Sequence, residues 1–212
     1  MEGPSDVIID NSDALVDLEQ LRAAIEANPD SAGAHYNLGL ALARKGDWDK
    51  SLESFRAALK LKPGLAEARI NIAGVLLQQG DYDGCINECL KALEFSPDMP
   101  EGCVTIGIAF IHEGMLDQEV LSFQKALAID PNVMTAHLNL GNVFLALGQF
   151  DKSIEHNTRA LEIHPEFPMA HNNLAVALFH QGDAAKAREH AQKAKDLGYP
   201  VHPEFMKQLG MN

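Results

Sequence analysis

Five glycines recur along this chain at intervals of 34 residues, and the interval never changes. They are Gly46, Gly80, Gly114, Gly148 and Gly182. A segment of that length holds one helix, a tight turn and a second helix. Such a pair cannot bury its apolar face alone, so it must stack on copies of itself. The spacing therefore predicts a protein built from repeated pairs of helices.

Prolines and small residues share this period and predict where the helices end and where they pack. Five prolines lie half a period from the glycines: Pro29, Pro63, Pro97, Pro131 and Pro165. A proline there ends the preceding helix, because it lacks an amide donor. The second helices share Ala24, Ala58, Ala92, Ala126, Ala160 and Ala194, and the first helices share Gly39, Ala73, Gly107, Gly141 and Ala175. Small side chains at these positions let neighbouring helices approach closely.

The stretch HYNLGLALARKGDWDKSLESFRAALKLKP, at residues 35–63, combines these positions with aromatic residues. It resembles the tetratricopeptide repeat family, and the resemblance extends over about residues 32 to 198. This implies an all-α, right-handed solenoid of about five stacked helix-turn-helix repeats that serves as a binding scaffold. Glu119 stands where the family has a small residue, and Asn157 where it has an aromatic one. We therefore expect local repacking in the third and fourth repeats.

The register divides the chain into repeats and caps. The repeats are predicted at residues 32–65, 66–99, 100–133, 134–167 and 168–198. A helix at 13–31 has no first helix before it and is predicted to cap the stack, as is a short helix within 199–212. Residues 1–12 show no helical period and are predicted to be mobile. Their apolar run, Val7, Ile8 and Ile9, could instead lodge in a groove.

The charge of the chain limits its partners. The formal net charge of −13 disfavours nucleic acid and anionic membrane surfaces, because both are negatively charged. A neutral or basic protein segment with apolar side chains is the better partner. No apolar stretch approaches the roughly 20 residues that cross a bilayer, and the start MEGPSD lacks the layout of a secretion signal. We therefore expect a cytoplasmic protein with no membrane insertion.

Three cysteines allow two interpretations. Cys85 and Cys89 are one helical turn apart, and Cys103 opens the next predicted helix. A thiolate metal site or a redox switch is one interpretation, because soft metals bind thiolates at such spacing. The other is packing, since Cys85 and Cys89 occupy positions that are buried in this register.

Motifs for catalysis or cofactor binding are missing from the sequence. There is no HExxH, no paired-cysteine zinc signature, no phosphate-binding loop and no GxSxG. His35, His137 and His171 share one register, where the family has a large packing residue, so we expect them to pack. The sequence therefore predicts a non-enzymatic protein that uses no cofactor and no metal.

Polar residues in one register of the first helices form the candidate binding site. They are Asn37, Asn71, Asn139 and Asn173, with Thr105 in the middle. The resemblance implies that the first helices line a concave groove, so these side chains would form a solvent-facing ladder along it. An amide both donates and accepts, which matches the groups of a peptide backbone.

Residues beside the ladder are largely apolar and predict the character of the partner. They are Tyr36, Leu40, Ile70, Ile108, Leu138 and Val176, with Asn142 and Asn172 adding amides. Some family members grip a terminal carboxylate with basic residues, but here only Asn71 matches and Glu101 would repel a carboxylate. The sequence therefore predicts a scaffold that binds an extended or helical protein segment. A homo-oligomeric platform, formed through end surfaces or an exchanged N-terminal segment, is the alternative.

Overall fold

The computed structural model describes residues 18–211, and over this range the chain forms helices and turns without a strand. The helices are α1 (Leu18–Ala27), α2 (Ala32–Arg44), α3 (Trp48–Leu61), α4 (Ala66–Gln79), α5 (Tyr82–Phe95), α6 (Pro100–Glu113), α7 (Leu116–Ile129), α8 (Met134–Ala146), α9 (Phe150–Ile163), α10 (Pro168–His180), α11 (Ala184–Asp196) and α12 (Pro203–Gln208). We call the even-numbered helices from α2 to α10 the first helices, and the odd-numbered helices from α3 to α11 the second helices. The predicted all-α class is confirmed.

The helices form two compact units. Unit 1 ends at Met115 and contains α1 to α6, and unit 2 begins at Leu116 and contains α7 to α12. In unit 1, α2 packs on α3 and α4 packs on α5, while in unit 2, α8 packs on α9 and α10 packs on α11. First helices also pack side by side, α2 with α4 and α4 with α6 in unit 1, and α8 with α10 in unit 2. The predicted pairing of consecutive helices is confirmed, and the unit boundary falls inside the predicted repeat 100–133.

The two predicted ends of the stack are described to different extents. The segment 1–12 and the first part of the capping helix predicted at 13–31 lie outside the described residues. From Leu18 onward α1 packs on α2, whereas α12 closes the other end in unit 2. Ala24 is exposed although its register predicts a packing position, because no first helix precedes α1 in the described chain.

The five glycines lie at the predicted turns, and all of them adopt the left-handed backbone conformation. Their φ angles are 76° at Gly46, 79° at Gly80, 69° at Gly114, 69° at Gly148 and 86° at Gly182. The residue after each glycine donates its amide to a carbonyl five residues earlier, as Asp81 does to Leu76 at 2.9 Å. This bond closes the first helix, and a side chain at the glycine would be strained. The prolines lie two residues beyond the ends of α1, α3, α5, α7 and α9, also as predicted.

A glycine in the first helix of unit 1 admits a large ring from the second helix. The Phe55 ring is fully buried, and a Cβ added to Gly39 would lie 2.6 Å from its carbons. The Ser51 hydroxyl donates to the Gly39 carbonyl oxygen at 2.8 Å. The two helices therefore approach until ring and backbone touch, which only glycine allows.

The pair of α8 and α9 in unit 2 closes the same contact with polar groups. Asn157 is fully buried and lies so near Gly141 that an added Cβ would overlap its amide. The Asn157 Nδ2 donates to the Ser153 carbonyl oxygen at 2.8 Å, and the Ser153 hydroxyl donates to the Gly141 carbonyl oxygen at 2.8 Å. Buried polar groups are stable when they are hydrogen-bonded. The departure at Asn157 is thus accommodated by repacking, and burial raises the pKa of Glu119, the other departure.

Alanine in place of Gly39 should lower the free energy of unfolding by about 1–3 kcal/mol, because its methyl group overlaps the Phe55 ring. Gly74→Ala is the matched control, since nothing lies within 4 Å of a Cβ added to Gly74 in α4. Alanine there should stabilise the protein by about 0.5–1 kcal/mol. Urea unfolding followed by circular dichroism measures both. Unchanged stability of Gly39→Ala would show that the helices do not touch at this point.

Candidate functional site

The candidate binding site is the ladder along the first helices, and the structure exposes part of it. Asn71 and Thr105 in unit 1 and Asn139 in unit 2 are half-buried. Asn37 and Asn173 are only 5% and 4% exposed. The expectation that all five side chains face solvent is therefore wrong for these two. A partner could reach them only if the helices moved.

Asn71 is held by two hydrogen bonds that define what it offers a partner. Its Nδ2 donates to the Glu67 carbonyl oxygen at 2.8 Å and to the Tyr36 hydroxyl at 3.0 Å. A backbone carbonyl only accepts, so the Asn71 atom that faces it must be the nitrogen. Both amide protons are then in use, and the Oδ1 is the group left to accept a hydrogen bond.

Thr105 and Asn139 are anchored in the same way. The Thr105 hydroxyl donates to the Glu101 carbonyl oxygen at 2.8 Å, and the Asn139 Nδ2 donates to the Thr135 carbonyl oxygen at 2.8 Å. The Thr105 oxygen and the Asn139 Oδ1 keep lone pairs that can accept. The exposed ladder positions thus present mainly acceptors, where the sequence predicted donors and acceptors together.

Asn173 is buried and takes part in the polar contact of unit 2. The Asn157 Nδ2 is occupied by Ser153, and the Asn157 Oδ1 needs a donor. Asn173 supplies it, with its Nδ2 3.4 Å from that oxygen. The polar contact between α8 and α9 therefore extends to α10.

The other predicted site residues divide between core and surface. Tyr36 and Leu138 are 7% and 4% exposed, so they pack inside the protein and do not line its surface as predicted. The Tyr36 ring centroid lies 5.7 Å from that of Phe55, and burial raises the pKa of the Tyr36 hydroxyl. Leu40, Ile70, Ile108, Asn172 and Val176 are half-buried, and Asn142 is exposed.

Two carboxylates distinguish the exposed ladder of unit 1 from that of unit 2. Glu67 and Glu101 are exposed and stand four residues before Asn71 and Thr105, on the same helix. Residues four apart on a helix are neighbours on its surface. Unit 1 therefore places negative charge beside its acceptors, whereas Thr135 holds the corresponding position in unit 2.

The three cysteines are buried free thiols. Cys85 and Cys89 are completely buried and pack with Ala73 and Ile106. A hydrogen bond with Cys85 and burial raise the pKa of Cys89, which keeps it protonated. Among residues 18–211, no three His, Cys, Asp or Glu side chains converge as a metal site would require. In the same range no helix is long and apolar enough to cross a membrane.

Two histidine pairs join first and second helices in unit 2. The Nδ1 atoms of His137 and His156 are 3.0 Å apart, and those of His171 and His190 are 2.9 Å apart. The His137 Nε2 lies 3.0 Å from the Pro131 carbonyl oxygen, so it must donate. In a neutral His137 ring the Nδ1 then accepts, and His156 donates. If the pair took up a further proton, both Nδ1 atoms would carry a hydrogen, and neither could accept the hydrogen bond.

The register of the first helices predicts packing for His137 and His171 but does not reveal their partners, which lie on the second helices. The detectable signal was that His156 and His190 are also 34 residues apart. Burial and then the neighbouring histidine lower the pKa of both His156 and His190. Both pairs therefore favour the neutral form of the second histidine.

Comparison with known proteins identifies the repeats. The family model for the tetratricopeptide repeat matches residues 18–66, 45–100, 118–166 and 138–198. These matches overlap and together cover more than half of the chain. A search of curated proteins found no match.

Solved structures of similar fold come from several proteins. YrrB, a TPR protein with an unusual peptide-binding site, is 20% identical with a TM-score of 0.68, over 92% of this chain and 100% of YrrB. PilF of Pseudomonas aeruginosa is 20% identical with a TM-score of 0.81, over 90% of each chain. The solved chain of MamA 41-end from Desulfovibrio magneticus RS-1 is 20% identical with a TM-score of 0.66, over 78% of this chain and 94% of that solved chain. At these identities the likeness is one of fold.

The histidine pairs should make the stability of the protein depend on pH. Below about pH 6.5 the unfolded chain takes up protons on its histidines, whereas the lowered pKa of His156 and His190 makes the folded chain resist. The contribution of His156 and His190 to the free energy of unfolding is complete above that pH. It is lost as the pH falls toward the pKa that these histidines have in the folded chain. The free energy of unfolding should therefore decrease over this range, as measured by urea unfolding at a series of pH values.

The double variant His156→Asn, His190→Asn should lose part of this pH dependence, because asparagine can donate to the first histidine without titrating. His164→Asn, which changes an exposed histidine of unit 2, should retain it. If the double variant and the wild type showed the same pH profile, the pairs would not be responsible.

Proposed function

The chain belongs to the tetratricopeptide repeat family, and from this premise we propose that it is a non-enzymatic scaffold that binds a protein segment on its first helices. The observation that carries the proposal is the set of acceptor oxygens that Asn71, Thr105 and Asn139 present on half-buried positions. The proposed contact residues also include Leu40, Ile70 and Ile108 in unit 1 and, separately, Asn142, Asn172 and Val176 in unit 2. Asn37, Asn173, Tyr36 and Leu138 are left out, because they are buried.

The acceptor oxygens of Asn71, Thr105 and Asn139 favour a partner that supplies hydrogen-bond donors. An extended segment has an outward N–H at every second residue and can supply them without regard to its side chains. In unit 1, Glu67 and Glu101 add negative charge beside the acceptors, which favours Lys or Arg in that segment. The same carboxylates disfavour a terminal carboxylate.

Hydrogen bonds alone do not give this surface useful affinity. Each contributes about 0.5–1.5 kcal/mol net, so Asn71 and Thr105 together contribute roughly 1–3 kcal/mol before the segment is ordered. The remainder must come from apolar contact with Ile70 and Ile108, which reach the surface of the same helices. The proposed partner of unit 1 is therefore a basic segment that carries aliphatic side chains.

Other properties of the protein agree with this proposal. The cysteines are free thiols, which is typical of a reducing compartment and supports a cytoplasmic location. The proposed contact residues carry amides, a hydroxyl and aliphatic groups, with the carboxylates of Glu67 and Glu101 beside them, and binding a peptide through such groups requires no cofactor. Self-association is the second candidate function, and a cleft at the C-terminal end of unit 2 favours it.

Peptides selected from a random library displayed on phage provide the probe for the first test. The double variant Asn71→Ala, Thr105→Val removes both acceptors of unit 1 and nearly preserves the shape of Thr105. It should weaken binding of the selected peptides at least about fivefold, since each hydrogen bond contributes near 1 kcal/mol. Fluorescence anisotropy with labelled peptides measures the affinity. Asn87→Ala, at an exposed asparagine of the second helix α5, is the control and should bind normally.

An unchanged affinity in the double variant, with binding still specific, would remove these acceptors from the proposed function. A loss of affinity in Asn87→Ala as large as in the double variant would instead place the binding surface on the second helices.

The carboxylates of unit 1 give a separate prediction. Glu67→Gln with Glu101→Gln should weaken binding of basic peptides several-fold at low salt and should reduce the loss of affinity on adding salt. Glu53→Gln, which neutralises an exposed carboxylate of α3, should do neither. Titrations at two salt concentrations distinguish the cases, and equal salt sensitivity in all three proteins would contradict the charge preference.

A further inference from the structure

A cleft lies at the C-terminal end of unit 2 and is not part of the ladder. Its volume is about 490 Å³, within the range of roughly 300–1,000 Å³ that is usual for ligand pockets. The segment between α11 and α12 forms one wall and α12 forms another. The apolar lining is Tyr199, Pro200, Val201, Pro203, Met206 and Met211.

The rim of this cleft carries two lysines, although the chain as a whole is acidic. Lys195 and Lys207 both line it and are exposed. Residues 186–211 carry five Lys and Arg against three Asp and Glu, although the whole chain has a net charge of −13. Lys207 forms an ion pair with Glu204 at 2.8 Å, but both side chains are more than 60% exposed, so that pair is weak. An occupant of this cleft should therefore be apolar and acidic.

The chain itself contains a segment of that chemistry. Residues 1–17 include five Asp and Glu and no Lys, Arg or His. Within them Val7, Ile8 and Ile9 form an aliphatic run with Asp6 on one side and Asp10 on the other. Three aliphatic side chains between two carboxylates match an apolar cleft between two lysines.

We propose that residues 6–10 of one copy bind in this cleft of a second copy. Val7, Ile8 and Ile9 pack on the apolar lining around Met206, and Asp6 and Asp10 lie near the two lysines. The segment precedes the first helix and the cleft is bounded by the last, so the contact joins the beginning of one chain to the end of another. Such a contact is heterologous and builds chains or rings of copies.

A second basic cleft in unit 1 is the competing receptor for the same segment. It has a volume of about 380 Å³ and is lined by Arg56, Lys60 and Arg69. Its lining also contains the Glu88 carboxylate, which lies 3.1 Å from Arg69 and would repel an acidic segment. Among the described residues that line the C-terminal cleft there is no carboxylate, and Glu204, which pairs with Lys207, is far more exposed than Glu88. The C-terminal cleft is therefore the better receptor.

Sedimentation velocity of the full chain over a range of concentrations tests the proposal. The wild type should show a mass above the 23.1 kDa of one copy that rises with concentration. Two charge-reversal variants, Asp6→Lys with Asp10→Lys and Lys195→Glu with Lys207→Glu, should each associate at least about tenfold more weakly. Val7→Ser with Ile8→Ser and Ile9→Ser should have the same effect through the apolar contact. Circular dichroism checks that all variants remain folded.

Mixing the two charge-reversal variants gives the decisive measurement. In either variant alone, the segment and the cleft carry charge of the same sign and repel each other. In the mixture, the basic segment of one variant meets the acidic cleft of the other variant. Association should return in the mixture and not in either protein alone. A contact within one chain would not produce this rescue.

Three results would overturn the proposal. The wild type could remain at the mass of one copy at every concentration, or reversal of Lys195 and Lys207 could leave association unchanged. Alternatively, association could be abolished by Arg56→Glu with Lys60→Glu and not by the C-terminal reversal, which would assign the segment to the cleft in unit 1.

Discussion

Close contact between the two helices of a pair is the constraint on which this structure depends. The glycine turn sets the direction of the second helix, and a small residue on the first helix sets how near it comes. In unit 1 the Phe55 ring rests on Gly39, and the Ser51 hydroxyl bonds to the carbonyl of the same glycine. Once this distance is fixed, the faces that remain outside the contact are fixed as well, including the face that carries the ladder.

The same contact is filled with different chemistry in different pairs, and this changes the site. Phe55 fills it with a ring, while Asn157 fills it with an amide that needs hydrogen bonds. Asn173 turns inward to supply one of them and is lost from the surface. The Asn173 amide is therefore engaged inside unit 2 and is not available at its surface.

The period predicted the helices well, because helix ends depend on local sequence. Proline and left-handed glycine act within a few residues, so their positions fix the ends of the helices directly. Whether a ladder side chain is exposed or buried depends instead on residues of another helix. The buried Asn173 bonds to Asn157, and His137 pairs with His156, a residue 19 positions away that the repeat pattern of first helices does not include. Sequence predicted which positions are equivalent, but their exposure followed only from the packing.

Charge completes the account of what the surface can bind. The Asn71 amide and the Thr105 hydroxyl donate hydrogen bonds to carbonyl oxygens of their own helices. Their oxygens remain as acceptors, and the carboxylates of Glu67 and Glu101 lie beside them in unit 1. A surface of acceptors and negative charge disfavours a partner that carries a carboxylate or a phosphate, because it offers such a group few hydrogen-bond donors. The basic rim of the C-terminal cleft has the opposite preference. The two proposed surfaces of this acidic chain would thus select partners of opposite charge.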